Sequence, residues 1–293
     1  MLKFASLASL LLPAAHSVSG ACSNPSVRKA WTALNDDEKH DFLKPEVCLM
    51  ETSSKTRYAG SVSHWDELQA LHTAQVHYWD EQADQAAAPL YASSIFNAEM
   101  GFGSNKTDAN GCIVDGPFAN VTNTLLSNFT RGPPQCLTRA LDQAQFNLVA
   151  QAKVGLCDAS TTYEDFNACL GGDPHVAGHY AVGGIMLDLA LSPFDTIFFL
   201  HHTNLDRLWW VWQSRDLGAR LTDMGGVNVA SFSVLTQAQP KSLPAGAFVP
   251  YFGDGGGNVT TLNHNLWMAD ILPNVTIAEV MDIHSDVICA EYL

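Results

Sequence analysis

Three histidines, His175, His179 and His202, have the spacing of metal ligands. His175 and His179 are four residues apart. On a helix, at about 100° per residue, their rings diverge by only about 40° and point to one side. His202 falls on the next predicted helix, and an antiparallel helix pair would turn it to face the first two. Three neutral imidazoles converging from two helices suit copper, zinc or iron, and no thiolate lies nearby to select among them. A lone histidine among apolar residues is ordinarily a hydrogen-bonding core or surface group, but three at ligand spacing point to a metal.

The stretch around His202 reads FLHHTNLDRLWW, an apolar and aromatic segment carrying His201, His202, Asp206 and Arg207. Burying so many polar groups is costly unless each finds a partner. Asp206, one turn beyond His202, is placed to hydrogen-bond a ring nitrogen or to pair with Arg207, which is the outer support that metal-bound histidines commonly need. His201 reads as a buried neighbour with its own polar partner. Trp209, Trp210 and Trp212 read as core packing.

Several elements must position these residues. Val27, Trp31, Leu34, Phe42 and Leu43 among charges, with a cap at Asn35 to Glu38, predict two short helices between 26 and 50. Trp65, Leu68, Leu71, Val76 and Trp79 suggest an amphipathic helix over 63–78, and Gly, Asn and Pro predict a long glycosylated loop region over 96–134. Helical patterns return over 135–154 and 163–170. A helix opening at His175 should close at Gly183-Gly184, and a strong one should run from near Pro193 to about Arg215. Short β-like runs follow towards the C-terminus.

The chain has 293 residues, 47% of them hydrophobic, enough for a sizeable core in one domain or at most two. Its formal charge of -15 argues against a nucleic-acid or anionic-membrane partner. Lys3 followed by FASLASLLLPAA and the small residues near Gly20 read as a signal peptide over 1–20, and no later run is long and apolar enough for a transmembrane helix. Sequons at Asn105, Asn120, Asn128, Asn258 and Asn274 agree with a secreted glycoprotein. All seven cysteines lie beyond residue 20, where oxidation to disulfides is expected; the number is odd, so at least one lacks an internal partner.

DPHVAGHYAVGG at 173–184 and SPFDTIFFLHHTNLDRLWWVWQ at 192–213 closely resemble the second copper-binding half of the tyrosinase and catechol oxidase family of type 3 copper proteins. The matching positions are His175, His179, Gly183, Gly184, Asp195, Phe198, His201, His202, Asp206, Arg207 and Trp209. VRKAWTALNDDEKHDF, SHWDELQALH and LPNVTIAEVMD are similar to further stretches of the fungal short members, so the resemblance spans most of residues 21–293. It implies a mainly α-helical bundle around a two-copper site, with long loops and short peripheral strands. It implies His175, His179 and His202 as ligands of one copper, Phe198 packed beside them, and His72 as a ligand of the other. Phenols and dioxygen would be the substrates and quinones the products. Val176 stands where many monophenol-hydroxylating members have asparagine, which points towards diphenol oxidation.

The resemblance breaks between His77 and Tyr78. There the chain passes from LHTAQVH directly to YWDEQAD, and the segment that carries the other two ligands of the first copper in the family has no counterpart. His77 lies five residues from His72, about 140° around a regular helix, and cannot join it at one metal. An internal deletion is the expectation, and the missing portion often carries a cysteine in the family. Two other readings stand beside the oxidase: a one-copper or metal-free binding protein of the same fold, and a zinc hydrolase, which lacks HExxH.

Overall fold

The computed structural model describes residues 22–54, 63, 65, 77–127, 130–228, 259–266 and 273–293. The expected signal peptide, His72 and most of the helix expected over 63–78 lie outside them. The architecture is mainly α-helical with short peripheral strands.

Asn35 opens the first long helix. Its side chain accepts the Glu38 N–H and the Glu38 carboxylate accepts the Asn35 N–H, both at 2.9 Å, so two donors that a helix start would orphan are satisfied reciprocally. One helix, α1 (Asp36–Glu51), then runs through Pro45. The sequence predicts two helices here; instead Ser26–Arg28 is a strand, β1, and Trp31–Ala33 a single 3-10 turn. The reason is non-local: β1 pairs in parallel with residues Ala290–Tyr292 at the other end of the chain, a contact no local pattern contains.

After α2 (Glu81–Ala87), the expected loop region contains a hairpin of β2 (Thr122–Leu125) and β3 (Arg131–Cys136), tied by the Cys112–Cys136 disulfide. Two prolines in RGPPQC hid β3, but in a two-stranded sheet every strand is an edge and tolerates them. The pattern over 135–154 resolves into α3 (Gln143–Phe146), a 3-10 turn and α4 (Gln151–Cys157). Next come α5 (Tyr163–Leu170), α6 (Asp173–Val182) and α7 (Ile197–Gln213). Small pairs follow: β4 (Asn265–Leu266) with β5 (Val275–Thr276), and β6 (Ala290–Tyr292) against β1.

The expected glycine pair does close α6. Gly183 and Gly184 both take positive φ, and a Cβ at Gly184 would lie 2.1 Å from the Thr138 carbonyl, so only glycine lets the chain turn there. The helix expected from Pro193 begins four residues later, at Ile197. Asp195 intervenes, accepting the Ile197 N–H at 3.2 Å and pairing with Arg139 in the interior.

The main core gathers Trp31, Trp65, Trp79, Phe102, Phe146, Ile197 and Leu200, while Phe166, Leu170, Leu208 and Trp212 form a second cluster under α4, α5 and α7. Cys22–Cys289 and Cys157–Cys169 complete three disulfides, and the cysteine left over is the exposed Cys48.

Candidate metal centre

α6 and α7 bring His175, His179 and His202 together. Pro174 in the first turn of α6 suits a helix start, and the four-residue spacing then stacks the two α6 imidazoles with ring centroids 4.8 Å apart. The His202 ring, from α7, lies 5.2 Å from that of His175 and 5.3 Å from that of His179. Phe198, one turn earlier, covers it at 4.0 Å.

The nitrogens are oriented as a metal needs them. His179 Nδ1 donates to the Met186 carbonyl at 2.8 Å and His175 Nδ1 to the Gly171 carbonyl at 3.4 Å. A carbonyl can only accept, so both rings carry the proton on Nδ1 and present Nε2 as a lone pair. Nε2 of His179 and Nε2 of His202 face each other at 3.2 Å. Two nitrogens bound tetrahedrally at about 2.0 Å from one ion would stand about 3.3 Å apart, so the spacing fits a metal. Burial, and next the neighbouring His201 imidazole, push the pKa of His175 down to about 4 and that of His179 to about 3. Both rings are neutral at neutral pH.

His201 completes a group of four histidines whose ligand atoms lie within 4.8 Å of one another. Its own Nδ1 is spent on Glu81 Oε1 at 2.8 Å, and both residues are buried. Burial favours the form in which neither is charged, raising Glu81 to about 8 and lowering His201 to about 3. The polar partner expected for His201 is therefore Glu81.

A cavity of about 310 Å³ adjoins His175 and His202, walled by Tyr163, Phe166 and Leu170 of α5 and by Leu205 and Trp209 of α7. Trp212 is core, stacked on Phe166 at 5.0 Å, and Trp209 packs against the same cluster while also lining the cavity.

Two expectations need correcting. Asp206 bonds neither a histidine ring nor Arg207; it pairs with Arg28 at 3.0 Å and accepts from the Tyr292 hydroxyl, fastening α7 to the β1–β6 pair. Arg207 turns to Asn204 Oδ1 at 2.9 Å and lies over the Tyr78 ring at 4.8 Å. His77 Nδ1 accepts the Lys29 N–H at 3.2 Å, away from the cluster. Glu81, Asn204 and the Gly171 and Met186 carbonyls were not foreseen. The one available signal was Glu81 itself, an acid directly after the aromatic pair Tyr78-Trp79 and Asp80.

Residues 62–215, more than half of the chain, match the family model described as the common central domain of tyrosinase. The chain belongs to the tyrosinase family. It is 28% identical over 263 residues to the tyrosinase-like protein phomQ1 of Diaporthe leptostromiformis, covering 70% of this chain and 66% of that protein. It is also 28% identical over 254 residues to the tyrosinase ustQ of Aspergillus flavus, covering 70% and 68%. The chain thus spans about two thirds of the length of these relatives. A structure of a mutant polyphenol oxidase from Thermothelomyces thermophila shares the fold, with a TM-score of 0.67 at 21% identity over 91% of this chain and 88% of that one. Membership of the tyrosinase family suggests copper as the metal and makes the chain, by resemblance, of the tyrosinase and catechol oxidase type.

Proposed function

We propose that this protein holds copper through Nε2 of His175, His179 and His202 and serves the oxidation of phenols, o-diphenols before monophenols, to quinones with dioxygen. One observation carries the reading: backbone carbonyls fix two of the three imidazoles with Nε2 unprotonated, and the paired Nε2 atoms stand at 3.2 Å. Bound copper would supply the redox change and the reaction with dioxygen. The chain supplies imidazoles of His175 and His179 that are neutral and present a bare Nε2, an aromatic-walled cavity against His175 and His202, and Phe198 over the His202 ring. Val176, exposed next to His175, offers no polar group to steer a monophenol.

The first copper is the weaker half. His72 is its one assigned ligand, His77 is engaged by Lys29, and we read an internal deletion between His77 and Tyr78 relative to the family. On that reading this chain takes one copper and oxidises catechol poorly or not at all, and a longer form is the active oxidase. A cDNA spanning the codons for His77 and Tyr78 tests the deletion, and a contiguous transcript without an added exon contradicts it. The alternative, a one-copper or metal-free binding protein, is supported by the same engagement of His77 and requires bound phenol with no quinone formed.

Secretion is part of the proposal. Three disulfides, exposed sequons at Asn105, Asn120 and Asn274, and the leader-like residues 1–20 support it, and no described helix is long and apolar enough to cross a membrane. Copper per chain and catechol oxidation, measured on one secreted sample, test the function directly.

A further inference from the structure

Three helices meet at one buried point behind the metal centre. Glu81, the first residue of α2, is 1% exposed, and its carboxyl group bonds His201 Nδ1 at 2.8 Å and accepts from Asn204 Nδ2 at 3.2 Å, both on α7. The adjacent Gln82 Oε1 takes the same Asn204 amide at 3.1 Å. On α6 the facing residue is Gly178, where a Cβ would come within 2.2 Å of His201 Cε1 and 2.8 Å of Glu81 Oε1. Only a glycine lets α6 approach the Glu81–His201 pair so closely. Gly178 immediately precedes His179, and His201 immediately precedes His202. The point where the helices touch is therefore one residue from each member of the Nε2 pair at 3.2 Å.

A wholly buried carboxyl group is costly, and an apolar residue of similar size would fill the space more cheaply. Packing alone does not call for an acid there. What the acid adds is direction: its bonds to His201 and Asn204, one turn apart on α7, fix the rotation of α7 about its axis and hold the His201 ring close against Gly178. We propose that Glu81 is a positioning residue for the metal centre, setting the distance between His179 and His202 through His201. The proposal rests on the reading that these histidines hold copper. It places Glu81 in contact with neither the metal nor the substrate.

The test is copper(II) titration of the purified full chain, with the dissociation constant and the electron paramagnetic resonance spectrum read on the same samples and the unfolding midpoint of each metal-free variant measured separately. Direct partners of metal-bound histidines typically change metal affinity by about 10–100-fold when removed, and Glu81, which acts one residue further out through His201, belongs at the lower end of that range. Glu81→Ala is expected to lose affinity in that range and to shift the copper hyperfine pattern. Glu81→Gln, which keeps the reach and a hydrogen bond, is expected to stay within about threefold of the unaltered protein. Glu81→Asp retains the carboxyl group but falls a methylene short, and is expected to shift the spectrum and weaken binding; it carries the test if Glu81→Ala does not fold. Unaltered affinity and spectrum in Glu81→Ala or Glu81→Asp overturn the positioning role alone. Failure of the unaltered protein to bind copper overturns the metal reading beneath it, and this proposal with it.

Discussion

Arg139 and Asp195 form a fully buried, two-pronged pair, Nε to Oδ2 at 2.6 Å and Nη2 to Oδ1 at 2.8 Å. Arg139 also donates to the Phe102 and Gly103 carbonyls, so every charged atom of the pair has a partner. Asp195 stands two residues before α7, and the pair anchors the start of the helix that carries His202. Removing one member strands a buried charge, so Arg139→Met is expected to cost about 3–5 kcal/mol of stability. Chemical denaturation checks this; a loss below about 1 kcal/mol, the range of exposed pairs, would contradict it.

Copper retention should extend to unusually low pH. An imidazole with an ordinary pKa near 6.5 binds a proton in competition with metal below that value. Burial lowers His175 to about 4 and His179 to about 3, so at these two rings protons begin to compete only below about 4. Copper affinity is expected to change little from pH 7 to pH 5 and to fall below pH 4. A tenfold loss between pH 7 and pH 6 would contradict it.

Glu46 gives a stability slope of the opposite sign. Buried on α1 with Oε2 unpartnered, it is raised by desolvation from 4.5 to about 8. Above pH 4.5 the unfolded chain ionises this group while the folded chain keeps it protonated, so its contribution to stability falls as pH rises, until about pH 8. The loss is about 1.4 kcal/mol for each pH unit crossed. Glu46→Gln should flatten the decline in stability between pH 6 and pH 8, read from unfolding midpoints of the metal-free chain. An unchanged decline would contradict it.

The metal side of this fold was legible because its signals are local. The spacing of His175 and His179, the glycine pair, the segment from Asp195 to Trp209 and the full range of α5 all follow from neighbours in sequence. What escaped depends on contacts far apart in the chain. β1 exists only through residues near 290, Asp206 is claimed by Arg28 and Tyr292, and Glu81 meets His201 across 120 residues. A helical periodicity reports which face is buried, and it is silent about which polar partner waits there.

Three disulfides leave Cys48 exposed on α1 as the remaining thiol. A thiol reagent is expected to titrate one group in the native chain, none in Cys48→Ser, and all seven after reduction and unfolding of the unaltered chain. Three reactive thiols in the native state would mean that one of the pairings is wrong.

The metal centre is tested most directly by copper per chain, measured by mass spectrometry on the purified protein and on His179→Ala. The expected result is one copper in the unaltered chain and its loss in the variant. A chain that purifies without copper and takes none up on titration, or a variant that binds it undiminished, would contradict the assignment of His175, His179 and His202 as ligands.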